Sequence, residues 1–113
     1  MVNHEKNKSQ DEILVKQIEE FVTYLGVEKN YALNTISSYE RDLLKFLSFL
    51  INRNITDWLE IESDTVNLFV MGLRHSDMSG KSIRRYLSSI RGFFNFLIDN
   101  GVMVKNLSII HIS

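Results

Sequence analysis

The sequence contains no cysteine and no proline. Without cysteine there is no disulfide framework, no thiolate metal site and no thiol nucleophile, a composition at home in a reducing cytoplasm. Without proline, and with no internal repeat or low-complexity linker, nothing in the composition marks an internal domain boundary. Long apolar runs are missing too. None reaches the length of a membrane span, and the opening MVNHEKNKSQDE lacks the apolar stretch of a secretory signal. Nor is there an excess of one charge: the formal net charge is -1, so any attraction to a polyanion must come from a local arrangement.

Enzyme chemistry is equally thin. His4, His75 and His111 have no carboxylate or second histidine at helical ligand spacing, so no metal centre is expected. There is no glycine-rich phosphate loop, and no serine has a histidine placed to activate it. Glu19 with Glu20, and Glu60 with Glu62, read as solvated surface rather than as an acid/base pair. The chain reads as non-catalytic, with no cofactor and no small-molecule ligand.

What is present is helical periodicity. At 113 residues and 44% hydrophobic, the chain has the size and composition of one domain with a real core. Residues 1–10 show no apolar periodicity and read as a disordered tail. From Asp11 to Glu28, Leu14, Ile18, Phe21, Val22 and Leu25 recur at helical spacing, with Gly26 as the expected C-terminal stop. A second helix is expected over Thr35 to Asn52, capped by Asn34, with Ile36, Tyr39, Leu43, Phe46, Leu47 and Leu50 as its stripe. A third is expected over Asp64 to His75, capped by Ser63, burying Val66, Phe69, Val70 and Leu73. The fourth starts after Ser79 and closes at Gly101, with Ile83, Leu87, Ile90, Phe94 and Leu97 turned inward. Trp58 sits in the loop between the second and third helices, where a tryptophan ordinarily plugs a core edge. Nothing alternates as a strand. Only the tail from Ile109 to Ile112 is β-prone, and it reads as coil. The expected fold class is all-α, a compact four-helix bundle.

Charge is unevenly distributed in MSGKSIRRYLSSIRGFFNFLIDNG, residues 78–101. Its first half carries Lys81, Arg84, Arg85 and Arg91 and no acid. With the apolar stripe inward, Lys81, Arg85 and Gly92 fall near the opposite side, flanked by Ser88 and Ser89, while Arg84 and Arg91 lie along one shoulder. A merely solvated face would mix signs. Cations, hydroxyls and the amides of a helix N-terminus suit phosphate. The second helix repeats the pattern more weakly, with Asn34, Thr35, Ser37 and Ser38 at its head and Arg41 and Lys45 outward. On charge alone, a duplex and an acidic protein partner both fit. The aromatics Tyr86, Phe93, Phe94 and Phe96 could stack on bases, but their helical spacing favours a core role.

Two runs carry a resemblance. One is N-T-x-x-x-Y-x-x-D-L-x-x-F-x-x-F-L, ending at Leu50; the other is S-x-x-S-I-x-R-x-L-S-x-I-R-x-F-F-x-F-L, from Ser79 to Leu97. In this order they resemble the N-terminal core-binding, SAM-like domain of tyrosine recombinases (phage integrases), most of all the bacterial Xer chromosome-dimer resolvases. The likeness covers residues 11–106 and implies a helical domain that clamps duplex DNA at a recombination half-site. It implies DNA contacts at Thr35, Ser37, Ser38, Arg41, Lys81, Ser82, Arg85 and Ser89, with Arg84 and Arg91 beside them. Tyr39, Leu43, Leu87 and Phe94 match core positions. The exposed side of the first helix would meet other protomers in a synaptic tetramer. Residues 107–113 would begin a linker to a catalytic domain outside this chain, since none of Tyr24, Tyr31, Tyr39 or Tyr86 matches the nucleophile's motif. Asn106-Leu107 stands where the family usually has Asn-Pro. The expected location is the cytoplasm. The competing expectation is a helical protein–protein module whose basic face meets an acidic partner.

Overall fold

The computed structural model describes residues 4–55 and 57–103, with only the backbone described for residues 4–10 and 59. The linker expected over 107–113 and the β-prone stretch near the C-terminus lie outside the described residues. Four α-helices follow one another: α1 (His4–Val27), α2 (Leu33–Asn52), α3 (Ser63–His75) and α4 (Gly80–Asp99), with a 3-10 turn at Trp58–Glu60. The fold class is all-α. The chain divides into two compact units, Met1–Glu60 and Ile61–Ser113.

In the first unit α1 packs against α2. Leu14, Ile18, Phe21 and Leu25 of α1 are buried, as are Leu43, Phe46, Leu47 and Leu50 of α2. Fully burying side chains of this size contributes about 1.5–3 kcal/mol each before entropy is counted. Val22, expected in the stripe, is only half-buried. Helix α1 begins at His4, not at Asp11, so the tail expected over 1–10 is helical from His4 onward. The reason is intrinsic helix propensity. Glu5, Lys6, Lys8 and Gln10 lose little rotamer freedom in a helix, and no glycine or proline interrupts them. Apolar periodicity reports a buried face, not helicity, and so does not detect these first two turns. Trp58 is buried at 2% exposure, and its indole N–H donates to the Gln17 side-chain oxygen, which satisfies the one polar atom an interior tryptophan carries.

The ends of the helices depart most from expectation. Gly26 does not stop α1, which runs through it to Val27. A Cβ there would meet only Ile36 Cδ1, at 3.4 Å, an ordinary van der Waals contact, so neither a stop nor a close approach requires glycine at this position. The left-handed residue after α1 is Asn30, at φ +58°. Asn34 is not a cap: α2 starts at Leu33, two residues before Thr35, and the N-cap is Ala32, which makes no side-chain cap bond. After α2, Asn54 takes φ +61°, with Ile55 N–H bonded to Leu50 C=O at 3.0 Å and Asn54 N–H to Ile51 C=O at 2.9 Å. That is a Schellman motif built on asparagine.

In the second unit α3 packs against α4. Ser63 is helical, and the N-cap is Glu62, which shares a reciprocal capping box with Thr65; the Glu62 N–H donates to Thr65 Oγ1 at 3.3 Å. Glutamate reaches far enough to take the N3 amide, so the cap falls one residue before the serine. Val66, Phe69, Val70 and Leu73 are buried as expected. A second Schellman motif uses Asp77, at φ +57°, with Met78 N–H bonded to Leu73 C=O at 3.2 Å. Helix α4 starts and ends as expected. Ser79 accepts the Ser82 N–H at 3.1 Å, and Gly101 takes φ +74° while Val102 N–H reaches Leu97 C=O at 2.8 Å.

Candidate nucleic-acid interface

Helix α4 separates an anchored side from a solvent side. Ile83, Tyr86, Ser89, Ile90, Phe93, Phe94 and Leu97 are buried, and Tyr86 meets Phe69 of α3 edge-on at 5.7 Å. Leu87, expected at the centre of the stripe, is only half-buried. The stripe is therefore rotated toward Tyr86 and Phe93. This rotation decides which cations face outward. Lys81, Arg84, Ser88 and Asn95 are exposed and share one face at i, i+3, i+7 and i+14, a row about 21 Å long at 1.5 Å rise per residue.

The rotation also corrects part of the expected site. Ser89 is 0% exposed, and its hydroxyl donates to the Tyr86 carbonyl at 2.8 Å. It is a small packing residue that returns its proton to its own helix, and it has no surface to offer a duplex. Arg85 is half-buried, with its guanidinium 5.5 Å from the centre of the Tyr86 ring. It borders the row rather than leading it. Arg84 takes the central place, and its guanidinium folds back along the first turn, 3.6 Å from where a Gly80 Cβ would stand. Ser82 and Arg91 are half-buried, and Ser82 Oγ accepts from the Ser79 hydroxyl at 3.1 Å. Between Ser79 and Leu97 no acidic residue interrupts the face.

In the first unit, the solvent side of α2 carries Thr35, Ser37, Arg41 and Lys45, all exposed. Ser38 is half-buried and accepts from Arg41 Nη2 at 3.2 Å, a bond that holds the guanidinium along the helix. Because Ala32 leaves the first turn without a side-chain cap, the amides there keep their partial positive charge toward solvent. Tyr39 is half-buried, with Tyr31 edge-on at 6.0 Å. Burial first, then Tyr31 and Asp42, push its hydroxyl above the usual tyrosine range. The outer side of α1 is net acidic instead, with Glu12, Glu19 and Glu20 exposed around Lys16. Among the described residues, no group of three or more His, Cys, Asp or Glu is placed to hold a metal ion. No helix among the described residues is long and apolar enough to cross a membrane.

A family model for the phage integrase N-terminal SAM-like domain matches residues 18–101, across both helical units. The chain belongs to this family. Among its relatives, tyrosine recombinase XerC of Roseiflexus castenholzii is 31% identical over 91 residues, covering 80% of this chain and 29% of that protein. Tyrosine recombinase XerD of Listeria monocytogenes is 37% identical over 87 residues, covering 76% of this chain and 29% of that protein. Tyrosine recombinase XerD of Listeria innocua is 38% identical, with the same coverage. The chain thus spans about three-tenths of the length of the curated relatives it matches. No solved structure matches it significantly.

Three features of this integrase SAM-like domain escaped the sequence reading. Asp42 is buried at 1% exposure, although a charged residue in a helix of alternating polarity normally reads as solvent-facing. The signal was there: Asp42 lies beside Leu43 and one turn before Phe46, on the apolar stripe. Asn95 takes a surface position in line with Lys81, Arg84 and Ser88, although it lies in the aromatic half of the segment. Leu33 is 81% exposed, because α2 begins earlier than its polar head suggested.

Proposed function

We propose that this chain is the duplex-DNA-clamping domain of a site-specific tyrosine recombinase of the Xer kind, acting at a recombination half-site. The observation that carries the reading is the exposed, acid-free row on α4, led by Lys81 and Arg84. A rigid helix anchored by seven buried residues holds those cations in register, as phosphate contact requires. Family membership and the recombinase relatives support the same reading. Thr35, Ser37 and Arg41 on α2 are the second set of contacts, and Ser38 orients Arg41. Arg85 and Arg91 add charge from the borders of the α4 row, and Ser82 shapes its start.

Strand cleavage and rejoining through a phosphotyrosine link would belong to a longer protein, as the length of the relatives suggests. The acidic outer side of α1 would be repelled by a duplex and suits contact with other recombinase protomers. A cytoplasmic location follows from the reaction proposed.

The test is binding of the chain to short duplexes across a salt series. Affinity should fall linearly on logarithmic axes, with a slope near -0.9 for each phosphate neutralised. Lys81→Ala and Arg84→Ala should each weaken binding and reduce the slope by about 1 if they hold phosphates. Salt-insensitive binding, or no binding to duplex beside binding to an acidic polypeptide, would replace this reading with that of a protein-interaction module.

A further inference from the structure

Helix α3 is apolar on two opposite sides. Val66, Phe69, Val70 and Leu73 are buried. At 3.6 residues per turn, Leu68 and Met71 fall on the far side of the helix, where they are 43% and 51% exposed. Among the described residues of the second unit, the one other exposed large apolar side chain is Val102, which lies beyond the end of α4. Asp64 and His75, both exposed, continue the line of Leu68 and Met71. The outward stripe therefore reads Asp64, Leu68, Met71, His75, at i, i+4, i+7 and i+11, which is the spacing of a coiled-coil seam. Gly72 borders this stripe inside the helix, where glycine is unfavourable. It is exposed, and a Cβ there would meet nothing within 4 Å, so packing within the chain does not call for glycine.

The stripe is complementary to itself. Its midpoint falls between Leu68 and Met71, and its ends differ in charge, with Asp64 in the first turn and Arg74 and His75 in the last. Laid antiparallel on a second copy about that midpoint, Leu68 faces Met71 of the copy, and Asp64 faces His75 with Arg74 beside it. The two-fold axis makes each contact twice, as an isologous interface requires. The missing side chain at Gly72 lets the two helices approach closely. We propose that a second copy of this chain pairs with the first through α3, antiparallel, about a two-fold axis between Leu68 and Met71. The pairing stands apart from the DNA-binding reading above. A helix of 13 residues is about 20 Å long and falls short of the roughly 1,200–2,000 Å² that a stable interface buries. The pair is therefore weak and forms where copies are concentrated.

Sedimentation equilibrium of the full chain, over a concentration series reaching about 1 mM, reads the pairing. The wild type should shift from monomer toward dimer along the series. Leu68→Ala should weaken the dimer about tenfold, because the two-fold axis removes two leucines at once. Asp64→Lys sets cation against cation at both ends and should leave the chain monomeric. A chain carrying Arg74→Glu and His75→Glu sets acid against Asp64 and should be monomeric as well. An equimolar mixture of these two charge-reversed chains should recover the dimer, because each reversed end then meets an opposite charge. Circular dichroism checks that each variant keeps its helices, and recovery on mixing is a result that misfolded chains would not give. A wild type that stays monomeric at every concentration overturns the proposal. So does a dimer that either charge reversal leaves intact, or a pair of reversed chains that stays monomeric when mixed.

Discussion

Single side chains decide which surface this chain presents. Ser89 and Arg84 are five residues apart on one helix and were both expected to touch DNA, yet they have opposite fates. Ser89→Ala should leave duplex affinity unchanged and cost less than about 1 kcal/mol, because the Tyr86 carbonyl keeps its helical partner. Arg84→Ala should weaken binding while leaving stability nearly unchanged. Paired affinity and melting measurements separate the two. Ser89→Val would overfill a site with no exposure and should cost about 1–3 kcal/mol. Tyr39 supplies a pH test. Its hydroxyl keeps its proton in the folded state above the usual value of 10.0, whereas the unfolded chain loses it there. The stability this contributes is therefore complete below pH 10 and declines as pH rises through the raised folded value. Tyr39→Phe should flatten the alkaline limb of a melting-temperature profile, and an unchanged limb would count against this assignment.

At the level of the helix, starts and stops are where reading and structure part. The stripe of α3 and the leucines and phenylalanines of those of α1 and α2 were legible because burial imposes a period on such residues, whereas Val22, Ile36 and Tyr39 are only half-buried. The caps were not, because several residue types can do one job. Glutamate caps α3 ahead of a better-known capping serine, alanine precedes α2 with no cap at all, and asparagine and aspartate stand where glycine is the familiar signal. Asp77 holds φ +57° at a cost that glycine does not bear. Asp77→Gly should therefore raise stability by about 0.5–1 kcal/mol, readable as a higher denaturant midpoint. Ser79→Ala, which removes the bond to the Ser82 amide, should lower it by about 1 kcal/mol. The first turns of α1 were illegible for a different reason: a helix made of glutamate, lysine and glutamine carries no apolar period to detect.

Across the whole molecule, charge is arranged rather than accumulated. A net charge of -1 joins an acidic outer side of α1 to a cationic row on α4, so the chain has little overall field to steer a polyanion. Melting temperature should then change little between low and high salt, while duplex affinity over the same range falls steeply. A parallel salt dependence of both would indicate that the cations serve folding instead. The candidate site was legible as a segment, residues 78–101, because a run of cations without acids is a compositional fact. It was not legible as a face, because Leu87 is less buried than its place in the stripe implied, and the exposed row runs through Arg84 rather than Arg85.

The division of labour on α4 has a consequence for how such a domain could be retargeted. Residues that hold the helix in place and residues that face outward are separate sets, with Ser89 alone moved from the second to the first. Lys81, Arg84, Ser88 and Asn95 are all exposed, as are Ser37 and Arg41, so they can be randomised without touching the buried side chains. Under the proposed DNA-clamping role, a library built on those six positions would explore new target sequences on a constant frame.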